Sequence, residues 1–257
     1  MIGMKLSNPL LSLIAATTLL LIAGRSMADE LRMAVSSNFA APFDVIAGRF
    51  ELRTGHKVIQ ISGSTGKHYA QITNGAPFDA FFAADTARPA LLEQQGVALP
   101  GSRFTYALGK LILWSPTAGY IDPDGDVLTD RRIRHLAIAN PRLAPYGRAA
   151  EEVLRARGEW QSYQGRLVRG ENIGQTFQFV SSGNVALGFV AYSQVKRPGS
   201  PVEGSLWLVP RSLYSPIAQQ AVLLREKPAA RDFMAFMREE ETLQTIRGFG
   251  YGVPDDE

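Results

Sequence analysis

A short polar loop carries residue types that bind anions. The segment GSTGKHY, residues 63–69, places Ser64 and Thr65 between two glycines, with Lys67 next. The phosphate-binding loop of nucleotide enzymes needs four residues between its glycines and a serine or threonine after its lysine. This loop has only Ser64 and Thr65 between its glycines, and His68 follows the lysine. It is too short to enclose a chain of phosphates, and we expect it to hold a compact oxyanion through its hydroxyl groups.

A second hydroxyl-rich loop, formed by Ser36, Ser37 and Asn38, also precedes a predicted helix. Serine, threonine and asparagine are common helix N-caps, so either loop alone would indicate only a cap. Two further polar loops, at residues 140–146 and 170–173, likewise lead into predicted helices. Four loops of this kind favour a shared anion site over four unrelated caps.

The four loops follow four short apolar segments that are typical of strands. The predicted strands are Leu31–Val35, Lys57–Ile61, His135–Ala139 and Arg166–Arg169. Strands that alternate with helices predict an α/β fold with mostly parallel sheets flanked by helices. Such sheets bind ligands at the carboxyl ends of their strands, where helix N-termini offer free N–H groups and partial positive charge. An anion can be held there without a basic side chain.

The residue sets of common enzyme active sites do not occur in this sequence. The chain has no cysteine and three scattered histidines, so neither a thiolate site nor a histidine-rich metal site is expected. Ser64 and His68 lie four residues apart at a helix start, which is poor geometry for a nucleophile and its base. We expect a binding protein with no catalytic residues, no cofactor and no direct metal ligands. The C-terminal segment, residues 229–250, is predicted as one amphipathic helix.

The N-terminus is typical of an export signal. Lys5 precedes an uncharged apolar segment from Leu10 to Ala23, and small residues follow up to Ala28. The apolar run is about 14 residues long, short of the roughly 18–20 that span a bilayer. We predict a signal peptide at residues 1–28 and release into the periplasm. Because no cysteine is available for lipidation, a soluble protein without a lipid anchor is expected.

The exported chain is close to neutral. The full sequence has 27 basic and 24 acidic residues, and removing Lys5 and Arg25 leaves 25 against 24. No basic surplus attracts nucleic acid, which is therefore not expected as a partner. We expect a monomer.

Several segments resemble the periplasmic molybdate-binding proteins of ABC transporters. The similarity is most specific in AQITNGAPFDAFFAAD, residues 70–85, a pattern of this family and its tungstate-binding relatives. It extends to residues 34–58, to NPRLAPYGRAAEEVL at residues 140–154 and to GYGVP at residues 250–254. The resemblance covers essentially the whole exported chain.

The resemblance implies a two-lobed type II periplasmic binding protein, whose α/β lobes close on a ligand in the cleft between them. Residues 29–108 and the return segment 215–257 would form the first lobe, and residues 109–214 the second. A molybdate or tungstate dianion would be held by neutral hydroxyl and N–H donors. The implied ligand residues are Ser37, Asn38, Ser64, Thr65, Tyr146 and Ile173, with Ser36 as a neighbour and Ile173 acting through its backbone only.

Two tyrosines compete for one place in the implied site. Family members without a tyrosine at the position of Tyr146 use one from the strand that corresponds to GFVAYS. The aligned residue here is Ala191, and the tyrosine comes one position later, at Tyr192. Alternation along a strand would turn Tyr192 to the opposite face, so we expect Tyr146 to donate and Tyr192 to pack. Glu171 is expected to point outward, and Lys67 to be a solvated helix residue.

The function implied by the resemblance is high-affinity binding of molybdate, and of tungstate, for delivery to the membrane permease of an ABC transporter. The loops alone leave another tetrahedral oxyanion, such as sulfate or thiosulfate, as the alternative. An iron(III)-binding protein on the same fold would need paired tyrosines with carboxylates, for which Tyr192 and Glu171 give little support. A phosphate-ester hydrolase would need a nucleophile or metal set that the sequence does not offer.

Overall fold

The structure is a computed structural model that describes residues 28–254. The predicted signal peptide, residues 1–28, lies outside the described residues except for Ala28, as do the last three residues of the chain. Within the described part, no helix combines the length and the apolar character needed to cross a membrane.

The described residues contain ten strands in two five-stranded sheets. In chain order the strands are β1 Glu30–Ser36, β2 Lys57–Gly63, β3 Ala80–Phe82, β4 Phe104–Gly109, β5 Leu111–Ser115, β6 Leu136–Ala139, β7 Leu167–Gly170, β8 Gly188–Ala191, β9 Ser205–Leu208 and β10 Ile217–Leu223. The first sheet has the order β2-β1-β3-β10-β4, and the second β7-β6-β8-β5-β9. The strands around β1 and around β6 are parallel, as predicted. The pairings of β10 and β5 are antiparallel, so each sheet is mixed.

Helices follow the strands in the predicted alternation. They are α1 Ala40–Thr54, α2 Thr65–Thr73, α3 Ala87–Gln94, α4 Pro145–Ala156, α5 Trp160–Tyr163, α6 Ile173–Ser181, α7 Tyr192–Val195, α8 Pro228–Phe236 and α9 Glu240–Gly248. Gly55 ends α1 with a φ of 78°, a left-handed conformation that favours glycine. Pro145 begins α4, where its fixed φ suits the helix and its missing N–H has no helical partner to lose.

The segment predicted as a single C-terminal helix forms two helices. Between α8 and α9, Glu239 has an extended backbone with φ −68° and ψ 142°. Glu240 and Glu241 then occupy the first turn of α9, where negative charge is favoured by the helix dipole. The single-helix prediction was wrong because this acidic run supplies a new N-terminus inside an otherwise continuous amphipathic pattern.

Apolar side chains cover both faces of each sheet. On one face of the first sheet, Phe233 of α8 packs against Phe43 and Phe50 of α1, with ring centroids 5.4 and 5.0 Å apart. On the other face, Ile72 of α2 and Leu92 of α3 belong to a second cluster. The second sheet is covered in the same way by clusters around α4 and α6. Packing on both faces fixes the strand ends from which the polar loops emerge.

The chain crosses between the sheets twice. The first crossing lies between Gly109, the end of β4, and Leu111, the start of β5. The second lies between Leu208 and Ile217. We call the parts that contain the first and second sheets the first and second lobes. The predicted boundaries, at 108/109 and 214/215, fall beside the first crossing and within the second, and this division of the chain stays a prediction.

Candidate functional site

Four polar loops meet between the two lobes and line a small cavity. The loops follow β1, β2, β6 and β7, because the carboxyl ends of parallel strands lie at one edge of a sheet. The lining includes Ser36, Ser37, Asn38, Ser64, Thr65, Tyr146 and Ile173. The remaining lining residues are Gly63, Ala84, Ala144 and Pro145. The structure therefore brings together every predicted site residue except Tyr192.

The cavity wall is uncharged at neutral pH. Among the described residues that line it, none is a lysine, arginine, histidine, aspartate or glutamate. Thr65, Tyr146 and Ile173 lie in the first turns of α2, α4 and α6, where N–H groups have no helical partner. Within the described chain these three N–H groups donate to no backbone acceptor. Three helix starts therefore offer N–H donors and positive dipole ends to the cavity.

Two hydroxyl groups at the cavity form a pair. Ser36 Oγ and Thr65 Oγ1 lie 2.6 Å apart, and the Ala84 N–H donates to both at 3.1 Å. Each hydroxyl carries one proton, and the bond between the two oxygens uses one of them. One hydroxyl proton is therefore left to donate to a ligand.

The Tyr146 side chain places a protonated phenol at the cavity. The residue is 1% exposed. Burial raises the pKa of Tyr146 well above its usual value, because the phenolate would lose its hydration. The hydroxyl therefore keeps its proton at neutral and moderately alkaline pH. Gln219 Nε2 donates to the phenol oxygen at 3.2 Å, which leaves the phenol proton for another acceptor.

The Asn38 amide bonds to the protein rather than to the cavity. Its nitrogen donates to Gln219 Oε1 at 2.7 Å and to the Tyr251 hydroxyl at 2.9 Å, so both N–H groups are used. Its oxygen is buried and has no partner among the described residues. An unpaired buried acceptor costs about 1–3 kcal/mol. Only the backbone N–H of Asn38 is therefore left for the expected donor role. The unpaired side-chain oxygen of Asn38 is a hydrogen-bond acceptor on a residue that lines the cavity.

Ser37 and Ser64 each accept a backbone hydrogen bond. Ser64 Oγ accepts from Lys67 N at 3.3 Å and caps α2. Ser37 Oγ accepts from Gly174 N at 3.1 Å. A hydroxyl that accepts still has a proton to give, so capping and ligand binding are compatible at both serines.

Two glycines let the lobes approach each other beside the cavity. Gly66 N–H in the first lobe donates to Leu143 O in the second at 2.8 Å. A Cβ at Gly66 would lie 3.0 Å from that oxygen, and one at Gly174 would lie 3.1 Å from Ser37 Cβ. Both separations are tighter than ordinary contacts, so glycine at these helix starts is what permits closure around the cavity.

Tyr192 lies away from the cavity lining. β8 ends at Ala191, and Tyr192 is the first residue of α7. Its ring packs beside the apolar cluster of the second sheet and against Gly250, where a Cβ would lie 2.5 Å from the ring. The chain's turn into a helix, rather than alternation along a strand, sets this orientation. Tyr192 packs as expected, and this geometry gives no support to its role as the alternative ligand.

An ion pair links the lobes outside the cavity. Lys67 Nζ in α2 lies 3.0 Å from Glu171 Oε1 in the second lobe. The side chains are 53% and 44% exposed, so water and salt screen the pair. Lys67 is exposed as expected, and Glu171 is turned from the cavity lining toward this partner.

Because the pair is half exposed, Lys67→Ala should weaken ligand binding by about fivefold or less. The affinity for the expected oxyanion is measured by calorimetric titration at low and high salt, and the difference from the wild type should shrink at high salt. Lys57→Ala is the matched control, because Lys57 pairs with Glu51 at 3.0 Å within the first lobe. A hundredfold loss for Lys67→Ala would mean that the lysine contacts the cargo.

Sequence patterns did not identify Gln219, Tyr106 or Tyr251 as part of the site. Gln219 is fully buried on β10, and its amide connects Asn38 to Tyr146. A pair of glutamines, Gln219 and Gln220, inside an otherwise apolar strand was the signal available for it. Tyr251 lies in the segment GYGVP, which carried the family resemblance but no assigned role.

No group of three or more histidine, cysteine, aspartate or glutamate side chains suited to a metal ion occurs within residues 28–254. His68 is buried, with Nε2 3.2 Å from Val35 O and Nδ1 3.1 Å from Gln71 Oε1. Burial lowers the pKa of His68, because its charged form would be desolvated. The histidine therefore packs α2 against β1.

Comparison with known proteins gives consistent matches over most of the chain. A model of the bacterial extracellular solute-binding protein family matches residues 31–252. A protein named molybdate-binding protein ModA from Azotobacter vinelandii is 48% identical over 236 residues, covering 91% of this chain and 94% of that protein. A protein of the same name from Rhodobacter capsulatus is 44% identical over 243 residues, covering 92% and 94%.

The fold is also similar to a solved structure. The periplasmic molybdate-binding protein of Azotobacter vinelandii superposes with a TM-score of 0.85 at 42% identity, covering 87% of this chain and 99% of that one. The expected two-lobed fold of a type II periplasmic binding protein is confirmed by this match.

Proposed function

The chain belongs to the bacterial extracellular solute-binding protein family, and from that premise we propose that it binds molybdate and delivers it to the permease of an ABC transporter. It is a binding protein and not an enzyme, like its relatives. The observation that carries the proposal is the small cavity lined by uncharged donors from both lobes. The relatives named molybdate-binding protein ModA support molybdate as the cargo.

In this proposal the cargo is held by hydroxyl and backbone N–H groups. The first lobe contributes Ser37 and Ser64, the free proton of the Ser36–Thr65 pair and the backbone of Asn38. The second lobe contributes the Tyr146 hydroxyl and the backbone of Ile173. Because the donors belong to different lobes, the full set exists only when the lobes are together.

Uncharged donors are sufficient for a dianion. A hydrogen bond to a charged group contributes about 1.5–3 kcal/mol, so five to seven of them can outweigh dehydration of the ion and closure of the lobes. Lysine or arginine in the cavity would strengthen binding of many anions alike. Fixed neutral donors instead make the fit depend on the size and protonation of the cargo.

Size and protonation would then determine selectivity. Sulfate has shorter bonds than molybdate and would leave donors out of reach, each at a cost of about 1–3 kcal/mol. Tungstate is nearly the size of molybdate and should bind similarly. Hydrogen phosphate carries a proton that needs an acceptor, and Asn38, one of the lining residues, has an unpaired amide oxygen. Phosphate is therefore the most informative competitor.

Calorimetric titration of the ligand-free protein tests the proposal. We expect heat from molybdate and tungstate, with affinities within about tenfold of each other. Sulfate and phosphate both have shorter bonds than molybdate and should bind at least about 100-fold more weakly, as the loss of one or two donors implies. Molybdate should also raise the melting temperature. Heat from sulfate alone would favour a sulfate-binding protein and reject the proposal.

The N-terminal sequence and the family together support a proposed setting for the protein. We place the protein in the periplasm after removal of a signal peptide at Ala28, as a monomer without a lipid anchor. Its partners would be the oxyanion and the permease, which would recognise the closed pair of lobes. Tungstate as a second cargo belongs to this proposal.

A further inference from the structure

Gln219 is a fully buried glutamine on β10, the strand that brings the chain back into the first lobe. The pairing of β10 with β4 shifts register between Gln219 and Gln220. Gln219 faces Ala107 and Gln220 faces Thr105, so the intervening Tyr106 has no direct partner. A bulge of this kind re-aims a side chain, and here it accompanies an amide that reaches the cavity residues.

The neighbours of Gln219 determine which end of its amide faces Tyr146. Its Oε1 accepts from Asn38 Nδ2 at 2.7 Å, and the Tyr106 hydroxyl lies 3.0 Å from the same oxygen. With the Asn38 amide oriented as it is here, turning the Gln219 amide over would place its nitrogen against the Asn38 nitrogen, donor against donor. The Gln219 nitrogen therefore remains on the side of Tyr146, 3.2 Å from the phenol oxygen.

This orientation makes the phenol oxygen an acceptor. If a glutamine oxygen lay there instead, Tyr146 would donate its proton to the protein. With the nitrogen there, the phenol proton is free for the nearby Tyr251 hydroxyl or for an acceptor in the cavity, of which an oxyanion is the strongest. Tyr146 belongs to the second lobe and Gln219 to the first, so the bond forms only across the closed cleft.

We propose that Gln219 is a positioning residue that fixes the Tyr146 hydroxyl as a donor to the oxyanion. It acts through Tyr146 and does not itself line the cavity. The proposal rests on the proposed function, because it requires an oxyanion in the cavity. Part of the affinity for the oxyanion would then depend on a residue outside the cavity lining.

A double-mutant cycle measured by calorimetric titration with molybdate tests this role. Tyr146→Phe should weaken binding about tenfold to 100-fold, as expected for one lost donor to a charged group. Gln219→Met should weaken it about tenfold in the wild type and at most about twofold in the Tyr146→Phe background. Equal losses in the two backgrounds, or no loss in the wild type, would overturn the proposal. If wild-type protein does not bind molybdate, the proposed function itself fails.

Gln220→Met is the matched control. Gln220 is partly buried on the same strand and bonds to Thr105 at 3.1 Å and Arg103 at 2.9 Å, outside the cavity. The Gln220→Met variant should keep molybdate affinity within about twofold of the wild type, because the hydrogen bonds of Gln220 do not involve Tyr146.

Gln219→Glu supplies a second variant that keeps acceptors for Asn38 and Tyr106. Its carboxylate would accept the hydrogen bond of the Tyr146 hydroxyl, which would then not donate to the oxyanion. A protonated carboxyl group could again donate to the Tyr146 oxygen. Because burial raises the pKa of a carboxyl group, lowering the pH from about 8 to about 6 should restore affinity about tenfold relative to the wild type. A recovery of equal size in the Tyr146→Phe background would mean that charge alone is responsible, and would overturn the proposal.

Discussion

Thr65→Asp should abolish molybdate binding and leave the protein folded. Thr65 lines the cavity at the first position of α2. A carboxylate there would face the dianion at close range. Two unit charges 4 Å apart repel by about 4 kcal/mol at an effective dielectric constant near 20, and the cargo carries two charges. We expect affinity to fall at least about a thousandfold, which corresponds to about 4 kcal/mol.

The fold should tolerate the change because the local contacts suit an acidic side chain. Thr65 Oγ1 now accepts from the Ala84 N–H and pairs with the Ser36 hydroxyl, and a carboxylate can accept from both. Negative charge at a helix N-terminus is also favourable. Calorimetric titration measures the loss of binding, and a thermal melt of the ligand-free protein measures the fold.

Thr86→Asp is the control for the added charge. Thr86 is exposed and is the N-cap of α3 in the same lobe, with no side-chain capping bond and no place in the cavity lining. The same charge at this helix start should leave binding within about threefold of the wild type, because solvent screens it. If Thr65→Asp kept near wild-type affinity, the loop that precedes α2 would not be part of the binding site.

Gly109→Ala should weaken molybdate binding by about 10–100-fold, as typical overpacking costs of 1–3 kcal/mol imply. Gly109 ends β4 at the first crossing between the lobes. A Cβ there would lie 2.8 Å from Gln219 Nε2, 3.0 Å from Tyr146 Cζ and closer still to the phenol oxygen. Tyr146 is buried and its ring cannot move aside freely, so the added methyl group should prevent full closure.

Titration with molybdate and small-angle scattering test this prediction together. The wild type should become more compact when molybdate is added, and Gly109→Ala less so. In a Tyr146→Ala background, where the obstructing ring is gone, Gly109→Ala should cost at most severalfold. Gly48→Ala is the control, because a Cβ at Gly48 meets nothing within 4 Å. Full affinity in Gly109→Ala would mean that Tyr146 sits elsewhere when cargo is bound.

The local pattern of the sequence predicted the parts of the site that are short-range. Apolar strands followed by polar loops gave the starts of α2 and α6 and the loop before α1 to within a few residues. These features depend on neighbours in the chain, such as Ser64 capping α2 through Lys67 N. The prediction of a single C-terminal helix failed for a local reason as well. Residues 239–241 start a second helix, and hydrophobic periodicity alone does not detect such a start.

Long-range partners were beyond the reach of periodicity. Asn38 and Gln219 are 181 positions apart, yet their amides bond at 2.7 Å. No spacing rule connects them, because β10, which lies beside β3 in the first sheet, follows the whole second lobe in the sequence. The sequence also treated Tyr192 as a strand residue, although it begins a helix and packs against Gly250.

The sequence by itself determined the kind of protein: an α/β binding protein with neutral donors at the starts of helices. Tertiary structure alone decided which donors keep a proton for the cargo. The amide of Asn38 is used by Gln219 and Tyr251, while the Tyr146 phenol is left as a donor. The physical reason is that a hydrogen-bond donor is available only when its neighbours do not take its proton, and those neighbours come from distant strands.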